Sequence, residues 1–369
     1  MTTASERRVV VTYSSDLATG PDGHEASTRE EIGRRLAALT GFAYAGEYDP
    51  HRRYAVPPYF VPANTLTTEI ASRLGIRSEH DLFGAVVPCA FMATKTITHP
   101  LLDAASCAPA GWYPEFPRRV AEVVLDGISV FARQDALIAA RRLLAFGPVR
   151  MKRATGVAGR GQYVVADATE LACALDAINA EEWAGSGAVV EQNLTDVTTY
   201  SVGQVRVADI VASYCGTQLL TTNNRGVEIY GGSALIVVQG DFDALLALTL
   251  PEDIRVAIAQ ARVYDDAAAR CFAGLFASRR NYDVAAGLDA TGQRRSGVLE
   301  QSWRLGGASG AEIRALEAFR AEPSLRTVRA ISREVYGAAP VLPANAAVSF
   351  SGNDPKVGPL TKYAWTEIS

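Results

Sequence analysis

Apolar positions change their period along the chain, and each change marks an element. Residues 8–13 form a near-continuous apolar run, as a buried strand does, and the polar stretch 14–23, with its Gly and Pro, follows as a loop. From Ser27 onward Ile32, Leu36 and Leu39 recur at helical spacing. Strand, loop and helix in that order open a small α/β unit whose functional face lies at the strand's carboxyl end. A helix over 66–74 and a short strand over 85–88 complete it, so a first lobe is expected over 1–90.

Residues 104–117 are rich in Pro, Gly and Ala and read as a loop or crossover. Over 135–146 Leu137, Ala140, Leu143 and Leu144 give an amphipathic helix that Gly147-Pro148 ends. A strand over 149–152, a glycine-bearing turn over 155–161, a strand over 162–165, a helix from Ala168 and a strand over 188–191 fill a second lobe, 91–190. The third lobe, 191–335, begins strand-rich at 201–210, 211–220 and 234–238. Pro251 then sits in the first turn of a long helix running toward Ala277. Paired strands over 282–288 and 297–302 and a helix over 311–319 close it. The rest, 336–369, is read as a C-terminal extension, with 351–369 as a surface tail.

Composition narrows the function classes. A chain of 369 residues exceeds the size at which one core keeps growing, and 48 % hydrophobic with 21 % charged residues is the balance of a folded protein. Lys and Arg (36) nearly match Asp and Glu (40), so no strong field draws the protein to nucleic acid or to an anionic membrane. Residues 1–8 are polar and lead into the first strand without a long apolar stretch, so a cytoplasmic protein is expected. The five cysteines form no CxxC pair and no zinc spacing with the four histidines, which argues against a disulfide scaffold or structural zinc. Cys89 and Cys215 alone lie near segments with candidate chemistry.

The segment 152–165 carries the strongest chemical signal. Gly156, Gly159 and Gly161 let backbone N–H groups curl around phosphate oxygens, and Lys152 on the preceding strand can place an ammonium beside them. Gly161 is followed by Gln162-Tyr163-Val164-Val165, a second strand, whereas a P-loop or a dinucleotide fingerprint needs a helix there. A hairpin lid over a triphosphate fits this context; taken alone, an exposed glycine hairpin fits it too. Next, Val189-Val190-Glu191-Gln192-Asn193-Leu194 is a strand that ends in an acid and turns, so its backbone can meet an adenine edge with Glu191 orienting the amino group. Strand-end solvation explains the same local pattern. Finally, alternation places Glu300 and Ser302 on one strand face, where two oxygen ligands can meet one Mg²⁺, with Asp283 or Asp289 supplying another carboxylate.

In their order and separation these segments resemble the ATP-grasp superfamily, and more closely the bacterial DUF3182 family within it. The closer likeness extends to 87–101 with Lys95 and His99, to Tyr230-Gly231-Gly232-Ser233 and to 300–307. The resemblance implies an α/β, α+β-lobed fold with an N-terminal pre-grasp domain and ATP bound between two antiparallel sheets. It implies that Lys95 and Lys152 contact ATP, that Thr155, Gly156, Gly159, Arg160, Gly161 and Gln162 form the phosphate lid, and that Glu191, Gln192, Asn193 and Leu194 form the adenine hinge. By the same resemblance Asp283, Glu300 and Ser302 hold Mg²⁺ and Arg304 faces substrate or phosphate. Two positions depart from the superfamily pattern: Ser302 stands where an Asn is usual, and Thr198-Thr199-Tyr200 occupies the place of a ribose-binding acid.

Two functions follow as expectations. One is an ATP- and Mg²⁺-dependent ligase that activates a small carboxylate as an acylphosphate for a nucleophilic acceptor, in a possible homodimer. The other is a nucleotide-binding regulatory or assembly protein with little chemistry, as Ser302 would suit. His24 and Glu25, in the loop after the first strand, are candidates for acceptor recognition or for surface and capping roles. Asn223, Asn224 and Arg225 read as a hairpin turn or a substrate-facing one. Tyr230 to Ser233 implies close backbone approach to ligand or to protein.

Overall fold

In the computed structural model, which describes residues 8–14, 23–156 and 161–367, the first apolar run is strand β1 (Val9–Tyr13), buried at its centre. Helix α1 (His24–Thr40) follows and closes at Gly41, whose φ of 72° is the left-handed conformation a C-terminal cap requires. Strands β2 (Ala43–Glu47) and β3 (Tyr59–Pro62) flank β1 in a parallel three-stranded sheet. Then come β4 (Leu66–Thr67), α2 (Thr68–Leu74), capped by the Thr67 side chain, and β5 (Ala85–Val87).

Two 3-10 turns, Ala90–Ala93 and Lys95–Ile97, carry the chain onward. Helix α3 (Glu115–Val120) starts inside the stretch that composition marks as loop. Phe116 and Val120 are fully buried in the largest core, which stabilises a helix too short to stand alone.

The middle lobe runs β6 (Gly127–Val130), α4 (Arg133–Leu144), β7 (Val149–Arg153), β8 (Gln162–Val165), α5 (Ala168–Asp176), α6 (Ala180–Gly185) and β9 (Ala188–Gln192). Its four strands form an antiparallel sheet in the order β6-β9-β7-β8. Asp167 caps α5 by accepting from Thr169 N–H at 2.8 Å and Glu170 N–H at 2.9 Å. Val130, Val149, Met151 and Val190 face the helices. By alternation Gly127, Arg150, Lys152 and Glu191 occupy the opposite face.

The last lobe begins with three long strands, β10 (Thr195–Val207), β11 (Ile210–Thr222) and β12 (Glu228–Gln239). The first of these stops at Val207, earlier than its apolar pattern suggests, because Ala208 turns with φ 52°. After α7 (Phe242–Leu246) comes α8 (Glu252–Cys271), which ends short of Ala277 because Phe272 leaves helical geometry and Gly274 takes φ 91°. The released segment is β13 (Phe276–Ala277), which pairs with β5 and ties this lobe to the N-terminal one. Strands β14 (Arg279–Leu288) and β15 (Arg294–Ser302) pair antiparallel, followed by α9 (Ser309–Ala321) and β16 (Thr327–Tyr336).

The segment 351–369 is not a surface tail. Through Glu367 it supplies part of β17 (Ala347–Asp354) and all of β18 (Gly358–Glu367). β18 pairs with β16 from Arg329↔Glu367 to Tyr336↔Leu360. The sheet thereby reaches eight strands, in the order β15-β14-β10-β11-β12-β16-β18-β17.

Helices α8 and α3 cover one face of this sheet over Val202, Tyr282, Val284 and Val298. Helices α9 and α1 cover part of the other over Val205, Tyr214, Leu235 and Ala330. Along the rest of that second face, register lines up Ser201, Gln218, Ser233, Asp283 and Glu300 as a polar strip. The crossover 94–99 runs between this strip and the helix-free face of the four-stranded sheet, since it bonds to both.

Candidate functional site

The crossover is fixed before it contributes chemistry. Thr94 caps the Lys95–Ile97 turn by accepting from Thr96 N–H. Gln301, on the far face of β15, donates to the carbonyls of Met92 at 2.9 Å and Thr94 at 2.8 Å. Thr98 Oγ1 lies 2.9 Å from Tyr264 OH on α8. So anchored, Lys95 is buried and aims Nζ at Glu300 Oε2, 2.9 Å away, while donating to the carbonyl of Gly156 at 3.1 Å. One lysine thereby touches the late strand and the start of the glycine turn together.

Lys152, on β7, pairs with Glu191 Oε1, and His99 Nε2 donates to Glu191 Oε2 at 3.2 Å. Burial opposes the Glu191 charge, but the Lys152 ammonium and the His99 hydrogen bond outweigh it and hold the carboxyl down at about 2. The sequence assigned the Glu191 side chain to an adenine amino group; in the structure its two oxygens meet Lys152 and His99.

Asp283 and Glu300 face each other in register across β14 and β15. Burial first, and then the Glu300 charge, push Asp283 up to about 6, against the help of Gln218 and Asn281. Asn281 donates to Asp283 Oδ1 at 2.9 Å and lies opposite Ser302. The Tyr214 hydroxyl donates to Glu312 Oε1 at 2.6 Å and sits 3.0 Å from Asn281 Oδ1. Two crowded carboxylates with a hydroxyl nearby are hard oxygen donors of the kind Mg²⁺ takes. Among the described residues no group of three or more His, Cys, Asp or Glu is placed to hold a metal ion.

Arg304 follows on the loop leaving β15, donating to Leu305 O at 3.0 Å. Burial, and then the neighbouring Arg279, lower its affinity for a proton, so an anion placed there would be welcome. Arg279 itself is locked in a buried pair with Glu312 of α9, at 2.8 and 2.7 Å. It also donates to the carbonyls of Ser302, at 2.9 Å, and Arg304, which sets the path of the loop.

The remaining candidates divide. Gly161 has φ 72° and its carbonyl accepts from Arg153 N–H at 2.9 Å. Thr155 donates to Glu182 at 2.8 Å, and Gln162 Oε1 accepts from Arg150. Gly159 and Arg160 lie outside the described residues. In the hinge Gln192 N–H donates to Asp126 O at 2.8 Å and Asn193 N–H to Pro148 O at 3.1 Å. Leu194 packs with Leu125, Ala285 and Leu299, an apolar platform of the sort a purine ring stacks on. Sequence reasoning did not single out Leu125, Ala285, Leu299, Gln218 or Asn281. All five are unremarkable locally and matter through strand register.

Asp289 is removed from the metal set. It caps the β14–β15 turn, held low by Thr291 and, beyond the opposing effect of burial, by Arg295. Asn223 Oδ1 accepts from Arg225 and Val227 N–H, a plain hairpin turn, and Asn224 donates to Val357 and Pro359 carbonyls. Tyr230 to Ser233 meets protein: Tyr230 OH lies 2.8 Å from Ser233 Oγ, and a side chain on Gly232 would run into the Ser332 carbonyl. His24 N–H donates to Asp354 at 2.7 Å and its ring packs against Phe350, while Glu25 is exposed. Cys215 is buried among apolar groups, which pushes its thiol up to about 12, and Cys89 is half-buried.

Among solved structures the chain resembles carboxyaminoimidazole ribonucleotide synthase from Aspergillus clavatus complexed with ATP. Identity is 13 %, coverage 99 % of this chain and 94 % of that one, and the TM-score 0.51. The same organism's N5-carboxyaminoimidazole synthase, in complex with ADP and 5-aminoimidazole ribonucleotide, gives 14 % identity, 99 % and 94 % coverage and a TM-score of 0.50. These neighbours are ATP-grasp enzymes, and the chain shares their fold. No curated protein matches the sequence. No helix among the described residues is long and apolar enough to cross a membrane. Residues 10–364 match the family described as "Protein of unknown function (DUF3182)", and the chain belongs to that family.

Proposed function

We propose that this protein is an ATP- and magnesium-dependent ligase that activates a carboxylate as an acylphosphate for attack by an amine or similar nucleophile. Lys95 paired with Glu300, opposite Asp283 in register, and Lys152 paired with Glu191 stand on two antiparallel sheets joined by the crossover 94–99, and this placement supports the reading. Lys95 and Lys152 would hold the phosphate chain, with the glycine turn 155–161 folding over it. The hinge 191–194 would offer backbone to the base while Leu194, Leu125, Ala285 and Leu299 stack against it. Asp283 and Glu300, with Ser302, would hold a magnesium ion, which when bound neutralises charge developing on the phosphate oxygens.

Arg304 would face the acceptor side of the cleft, and the N-terminal lobe would select the acceptor. A carboxylate oxygen of the substrate bonds to the γ phosphorus while the bond to the bridging oxygen breaks and ADP leaves with that electron pair. The nucleophile then bonds to the acyl carbon, phosphate leaves, and the amine loses a proton. The chain supplies no covalent nucleophile; it supplies fixed cations and a site from which water is excluded.

The test is a panel of small carboxylates incubated with MgATP and hydroxylamine, which traps an acylphosphate as its hydroxamate. The ligase reading expects ADP release that depends on one class of carboxylate, with matching hydroxamate and none from Lys152→Ala. ATP binding with no carboxylate-dependent ADP across the panel would favour the regulatory reading instead.

A further inference from the structure

His99, Glu191 and Lys152 form a chain of contacts between the crossover and the four-stranded sheet. None of the three side chains is more than 2 % exposed. Glu191 accepts from Lys152 on one oxygen and from His99 Nε2 on the other. A carboxylate that is ionised can only accept, so Nε2 is the ring nitrogen that carries hydrogen.

The neighbouring backbone is built around this chain. Gly127 on β6 lies opposite Glu191 in register, and a Cβ there would stand 2.7 Å from Cε1 and Nε2 of His99. Gly127 is not among the positive-φ glycines, so space for the imidazole, rather than backbone freedom, demands a residue without a side chain. His99 is also held from behind, since Pro100 O accepts from Ser129 N–H at 2.9 Å on the same strand.

We propose that His99 and Glu191 are positioning residues that hold the Lys152 ammonium ready for nucleotide phosphate. This rests on the nucleotide reading above. Lysine has three N–H donors on a long flexible stem; Glu191 takes one, fixes the stem and leaves two for phosphate oxygens. A buried ammonium also needs a counter-charge, which Glu191 supplies before any nucleotide arrives.

The experiment is calorimetry of wild type, Glu191→Gln, His99→Gln and Gly127→Ala with ATP, AMP and GTP in magnesium. Gly127→Ala removes no polar group and crowds the imidazole, and a melting curve of each variant separates a folding defect from a loss of binding. Losing a charge-assisted contact to Lys152 should weaken ATP by about ten- to a hundredfold in Glu191→Gln. AMP should weaken less, and the ATP to GTP ratio should stay within about twofold in every variant. An ATP affinity unchanged in Glu191→Gln, or a collapsed ATP to GTP ratio, would overturn the clamp alone. No ATP binding by folded wild type would remove the nucleotide reading and the clamp together.

Discussion

Asp283 is pushed up to about 6 because burial and the facing Glu300 both oppose its charge. Its folded value lies above the ordinary 3.8, so ionisation works against the metal-free fold at neutral pH. That opposition fades as pH falls through about 6 toward 3.8. Asp283→Asn should therefore melt about 1–3 °C higher than wild type at pH 7 without metal, an advantage that vanishes by pH 4. The same variant should lose the magnesium dependence of ATP binding. Scanning calorimetry showing a lower melting point at pH 7, or ATP binding that still responds to magnesium, would contradict the assignment. Glu191 has the opposite sign: its value near 2 lies below the ordinary 4.5, so its contribution is complete above 4.5 and is lost only as pH falls toward 2.

Between residues and the whole lies the joint of β15, the 302–307 loop and α9. Arg279 and Glu312 are fully buried and hold it, with Arg279 also gripping two loop carbonyls. Removing only the cation leaves Glu312 buried without compensation, so Arg279→Met should cost about 3–5 kcal/mol in urea unfolding. Arg279→Met with Glu312→Leu should recover most of that stability yet leave the Arg304 loop unanchored. A single variant as stable as wild type would show that the pair does not hold the joint. Elements made of local signals were legible in sequence: the lysine strand and the strand 162–165 that follows it, and the paired strands carrying Asp283 and Glu300. The C-terminal hairpin was not, because β17 is half-exposed with no clean alternation and is an edge strand whose place depends on β18 and β16. The His99 to Glu191 contact and the Gly127 vacancy around it were hidden for a similar reason. They join separate strands and a crossover, and only the antiparallel register brings them together.

At the scale of the whole molecule, the candidate site is assembled from parts that each have another anchor. The crossover is tied to α8 and β15 by Tyr264 and Gln301, and to the four-stranded sheet by His99. The N-terminal sheet is tied to the large lobe by β13, and the C-terminal hairpin reaches back to α1 through Asp354. Lys95 links Gly156, at the end of the described part of the second lobe's hairpin, to Glu300 on the eight-stranded sheet. Calorimetric titration of ATP, with and without magnesium, into wild type and into folded Lys152→Ala and Glu300→Ala asks whether this site binds MgATP through these two residues. Magnesium-dependent binding that weakens in both variants by about tenfold or more is expected; no ATP binding by well-folded wild type, or binding untouched by either substitution, would overturn the proposed function.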